Sequence, residues 1–154
     1  MSEIYKNLSR DLPALFAFLE ARSAVPFDWT GDNDCWSFAA LAVKAQTGVD
    51  PRGPLRWKTR NGALRLLKKE GGLVAAWDAR LSQLPVALAA RGDVAAVADE
   101  LLGFRALVVE GATLVGPGER GLVRLPRSAA VFAWDALSVH AISDARVTEG
   151  SLGV

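Results

Sequence analysis

The sequence is poor in the residues that most often carry chemistry. Its 154 residues include one cysteine, one histidine, one methionine and one tyrosine. A single cysteine excludes an internal disulfide. A four-ligand zinc site from Cys35 and His140 would need two carboxylates as well, and no metal-ligand spacing is visible. No glycine-rich phosphate loop precedes a helix, so neither a metal nor an organic cofactor is expected. Charge of one sign is also scarce. Eighteen basic and 17 acidic residues leave a net +1. That balance favours neither general nucleic-acid binding nor attachment to anionic lipid. No apolar run reaches membrane-spanning length, so no membrane span is expected. Met1 to Asp11 carries Glu3, Lys6, Arg10 and Asp11 and has no apolar signal core, which predicts synthesis on the cytoplasmic side.

Hydrophobic residues are plentiful at 51%, enough to fill one core in a chain of this length. Asp11 is placed to cap a helix with Pro13 in its first turn and Leu12, Leu15, Phe16 and Leu19 on one stripe. After the polar loop at Gly31 to Asp34, Cys35 to Thr47 reads as an Ala-rich helix that Gly48 can end. It is apolar almost all round and therefore central. Thr59 is placed to cap a third helix, with Ala63, Leu64 and Leu67 on one face and Arg60, Arg65, Lys68 and Lys69 on the other. Gly71-Gly72 stops it, and Leu73 to Leu81 reads as a further short helix. From Gly92 the texture changes to strands: Val94–Ala98, Phe104–Val109, Thr113–Val115 and Leu122–Leu125. Turns are predicted at Glu110-Gly111 and Gly116-Pro117-Gly118, a brief helical piece at Pro126, and a last strand over Trp134–Ile142. Helices first and antiparallel strands second is an α+β layout. One domain is expected over 1–142, with a polar tail over 143–154.

Asp34-Cys35-Trp36 is the sharpest chemical feature. A cysteine in the first turn of a helix meets free backbone N–H groups and the positive end of the helix dipole, both of which favour thiolate. Asp32 and Asp34 oppose that. The thiol therefore reads two ways, as a nucleophile or as a small buried apolar residue. Arg91-Gly92-Asp93 matches an integrin-type tripeptide, but a Gly-Asp turn opening a strand accounts for it. Trp36, Trp77 and Trp134 lie in apolar patterns and read as core. Trp29 and Trp57 lie near loops and read as exposed contact residues. The basic helix with Arg60, Arg65 and Lys68 reads either as a solvated face or, with Trp57, as a partner surface.

The order of these pieces carries a resemblance. Phe27-Asp28-Trp29, Asp34-Cys35-Trp36-Ser37-Phe38-Ala39-Ala40, Ala63-Leu64-Arg65, Gly71-Gly72, Arg91-Gly92-Asp93-Val94 and Gly121-Leu122-Val123-Arg124-Leu125-Pro126 with Ala133-Trp134 stand in sequence. Together they resemble the NlpC-type, papain-like cell-wall cysteine peptidases, and more closely a phage- and prophage-associated family of unknown function related to them. The resemblance implies helices packed on a C-terminal antiparallel sheet, with Cys35 as the nucleophile. It also implies a histidine opening the strand that follows the one begun by the Gly-Asp turn, at or near Leu101, where this chain has none. His140 is the one imidazole left as a candidate base. A leucine at that position leaves the thiol without its general base. The resulting expectation is a virion component: a structural tail-tip module on a degenerate peptidase-like domain, made in the host cytoplasm and then carried in the tail. Its expected partners are other phage tail proteins, with peptidoglycan as a further one. The alternatives are an active peptidase or amidase cutting peptidoglycan stem peptides with Cys35, and a bacterial binding protein with no phage role.

Overall fold

A computed structural model describes residues 9–30, 32–100 and 102–139. Helix α1, Leu12–Ala21, starts where Asp11 accepts a hydrogen bond from the Ala14 amide at 3.0 Å, with proline in its first turn. Leu15 and Leu19 are buried, but Phe16 is 44% exposed, so the stripe is narrower than its spacing implied. Helix α2, Cys35–Thr47, is the central one. Asp34 caps it and nine of its 13 residues are buried. Helix α3, Arg60–Glu70, is capped by Thr59 and anchored through Ala63 and Leu67. Helix α4, Leu73–Asp78, is shorter than the predicted segment.

Six antiparallel strands follow: β1 Ser82–Leu84, β2 Val94–Asp99, β3 Gly103–Val109, β4 Thr113–Gly118, β5 Gly121–Pro126 and β6 Phe132–Asp135. Their order across the sheet is β1-β6-β2-β3-β4-β5. The meander from β2 to β5 is the expected one. Strand β6 returns to the far side of β2 and carries β1 on its outer edge.

Helix α2 packs on β3 and β4, and α1 packs on α2. Phe38, Ala39, Ala42 and Val43 meet Val94, Ala96, Ala106, Val108, Val115 and Trp134 in one core. The opposite sheet face holds Ala95, Val97, Leu107, Val109, Leu114 and Ala133. Val86 and Ala129, from two single-turn helical pieces, and Ala130 just after the second pack against it. Burial on both faces explains why β2 and β3 read as continuous apolar runs rather than alternating ones.

Two strand predictions need correction. Gly116-Pro117-Gly118 is the end of β4, and the turn is Glu119-Arg120. Pairing between β3 and β4 stops at Val115, so no strand on that side asks Pro117 for an N–H. The last strand ends at Asp135 and a helical turn, Ala136–Ser138, follows it, since Asp135 accepts from the Leu137 amide and caps that turn. Residues 143–154, the predicted tail, lie outside the described residues.

Arg91-Gly92-Asp93 is a structural junction. Asp93 is 2% exposed and accepts from Arg10, the Ala90 amide and the Ala136 amide. The Arg10 guanidinium also donates to the Arg91 carbonyl and to Gln46. Gly92 has φ +96°, which favours glycine, and a Cβ there would lie 2.1 Å from Gln46 Oε1, so any side chain would also have to displace Gln46.

Candidate functional site

Cys35 occupies the first turn of α2, as its sequence position implied. The helix end does not activate it. The residue is 7% exposed, and burial pushes the thiol from an ordinary 9.0 up to about 12. Arg105 on β3 offers a nearby positive charge and a hydrogen bond that pull the other way, while Asp34 and Asp99 add to the rise. Desolvation wins.

Several polar groups at the head of α2 are committed to one another. Asp34 is fully buried and accepts from the Ser37 amide at 3.2 Å, the Ser37 hydroxyl at 2.6 Å and Trp57 Nε1 at 3.1 Å. Arg52, 2% exposed, donates to Asp50, to Asp32 at 3.2 Å and to Ser37 Oγ at 3.3 Å. Asp32 has φ +58°, an uncommon conformation for a residue with a side chain. Arg22 holds it there by donating to the Asp32 carbonyl and to Asn33 Oδ1, while Asn33 Nδ2 donates to the Val25 and Pro26 carbonyls. This network shapes a loop and caps a helix.

The expected histidine position, at or near Leu101, is flanked by Asp99, which accepts from the Leu102 amide, and by Gly103 at the start of β3. Leu101 and His140 both lie outside the described residues, and His140 is the chain's one histidine. Arg105 and Arg52 were not foreseen. Arg105 is a charge inside an apolar strand, which was the available signal.

Trp57 overturns an expectation. It is 8% exposed, stacks on Trp36 at 4.2 Å between ring centroids, and donates to Asp34. It belongs to the core, so the expectation of an exposed ring is corrected to a largely buried one. Trp29 is partly buried, edge-on to Phe27.

Arg60, Arg65 and Lys68 are exposed on α3, as predicted. Beside them lies an open groove of about 340 Å³, walled by Arg56, Lys58 and Arg65, with Trp57 and Leu66 as its apolar part. Trp57 thus separates the two regions. One side faces Trp36 and Asp34, and the other lines the groove.

No helix among the described residues is long and apolar enough to cross a membrane. Comparison with curated proteins and with solved structures finds no match. The chain belongs to the family described as Domain of unknown function (DUF6950), which it matches over residues 9–136.

Proposed function

We propose that this chain is a non-catalytic docking module built on a degenerate cysteine-peptidase plan, serving as a structural component of a phage or prophage tail tip. The observation that carries the non-catalytic part is the state of Cys35. Its thiol is buried, burial pushes its pKa up to about 12, and Asp34, Ser37, Arg52 and Trp57 at the head of α2 are bonded to each other. A thiol nucleophile needs a base to form the thiolate and an acid to protonate the leaving amine. Such help is worth about two to four orders of magnitude in rate. The tail-tip context rests on the order of sequence motifs, and the docking role on the exposed basic face of α3.

The competing reading is a peptidase or amidase on peptidoglycan stem peptides, with Cys35 as nucleophile and His140 as base. The placement of Cys35 at the head of α2 speaks for it. Digestion of purified peptidoglycan separates the two. The wild-type domain should release no stem-peptide fragments, and Cys35→Ala should leave assembly or infectivity unchanged. Robust release by wild type, abolished in a folded Cys35→Ala variant, would overturn the docking reading and make His140→Ala the next variant.

A further inference from the structure

The near-neutral total conceals a segregation of charge. Residues 51–69 hold seven of the 18 basic residues and none of the 17 acidic ones. The remainder, with eleven basic against 17 acidic residues, is net negative. Arg52 is buried against Asp50 and Asp32, and Arg56 reaches Asp50 at 3.7 Å. Lys58, Arg60, Arg65, Lys68 and Lys69 have no ion-pair partner among the described residues. Glu70, the nearest carboxylate on α3, is turned to Arg80 at 2.5 Å.

We infer that the groove between the 56–58 segment and α3 takes a short acidic polypeptide segment of a partner protein, an assignment that rests on the docking reading and gives the partner its chemistry. Lys58 and Arg65 both line this groove of about 340 Å³ and supply the charge. Leu66 and the lining part of Trp57 supply an apolar surface for a side chain or methylene stem beside the partner's carboxylates. Thr59 satisfies the Gly62 amide, so the side chains rather than the helix end make the site. A polynucleotide fits less well. The lining's one aromatic ring, Trp57, is stacked on Trp36 and offers no platform for bases. Helix α3 is eleven residues long, roughly 16 Å. Beyond it the chain's net negative charge repels an extended polyanion but leaves a short segment undisturbed.

Fluorescence anisotropy of the intact chain tests this, using a labelled oligoglutamate peptide with a central leucine as probe and labelled single-stranded DNA as comparison. Wild type should bind the peptide saturably and more weakly as salt rises. Lys58→Glu and Arg65→Glu, each checked for an unchanged melting curve, should weaken binding about tenfold or more. Arg120→Glu, at the exposed β4–β5 turn, should leave it unchanged. Absent binding, or equal loss in all three variants, overturns the assignment. Tighter binding of DNA through Lys58 and Arg65 overturns it in favour of nucleic acid. Self-association of wild type that Arg65→Glu abolishes overturns it in favour of a second copy. Peptidoglycan cleavage sinks the docking reading whatever the peptide does, whereas a domain that neither cleaves nor binds sinks the groove assignment alone.

Discussion

The head of α2 and the face of α3 lie on either side of one indole, and they differ in whether their polar groups are already bonded. At α2, Asp34, Ser37, Arg52 and Trp57 exchange hydrogen bonds inside the core. At α3, Lys58, Arg60, Arg65 and Lys68 are exposed and have no ion-pair partner among the described residues. A satisfied buried network holds a shape, because opening it leaves desolvated groups without partners. An uncompensated exposed face adds little to stability, and its charge remains available to another molecule. Two features that the sequence offers as rival sites thus divide into scaffold and surface.

Trp57 is where that division can be broken most sharply. Trp57→Ala should cost about 3–5 kcal/mol, since it removes a buried ring, its stack on Trp36 and a bond to Asp34. Trp57→Phe should cost less, keeping most of the ring's packing and losing the N–H donor. Denaturant unfolding measures both. A neutral Trp57→Ala would return this residue to the surface and undo the contrast.

Cys35 gives a subtler test through pH. The folded thiol's pKa is raised from 9.0 to about 12, so the folded chain keeps a proton that the unfolded chain gives up. Its contribution to stability is complete below about pH 9 and is lost as pH climbs from there towards 12. Wild type should therefore lose stability more steeply than Cys35→Ala across that window in parallel unfolding titrations. Native protein should also resist thiol alkylation at pH 8 and react once unfolded. Rapid alkylation of the native chain at neutral pH would mark an activated thiol and sharpen the case for an enzyme.

The smallest expected effect on stability belongs to α3. Combined charge reversal at Arg60, Arg65 and Lys68 should change stability by no more than about 0.5 kcal/mol per site. The same variant should fail to enter an assembly that wild type enters. Unimpaired incorporation would remove this face from the partner surface, and a large loss of stability would show that it is scaffold too.

Much of the local structure was legible because local physics decides it. Asp11, Asp34 and Thr59 cap helices through their own side chains, and Gly48 and Gly71 end them in the left-handed conformation. Trp36, Trp77 and Trp134 sit in apolar surroundings dense enough to place them in the core. The short strand β1 escaped notice, since three residues in which two are exposed carry no periodicity. Gly116-Pro117-Gly118 misled because turn-forming residues also suit a strand where no neighbour needs the proline's N–H.

By itself, then, the sequence determined the helix starts and stops, the change from helices to strands at Gly92, the placement of Cys35 at a helix N-terminus and the basic face of α3. Each depends on residues within a turn or two of one another. Only the tertiary structure decided that this thiol is buried and that Trp57 is stacked on Trp36 and bonded to Asp34 rather than largely exposed. Those outcomes depend on Arg105, Asp99 and Trp57 reaching the head of α2 from 22 to 70 residues away in the chain. They also depend on solvent being excluded there, and desolvation is a property of the packed whole that no local pattern of residues carries.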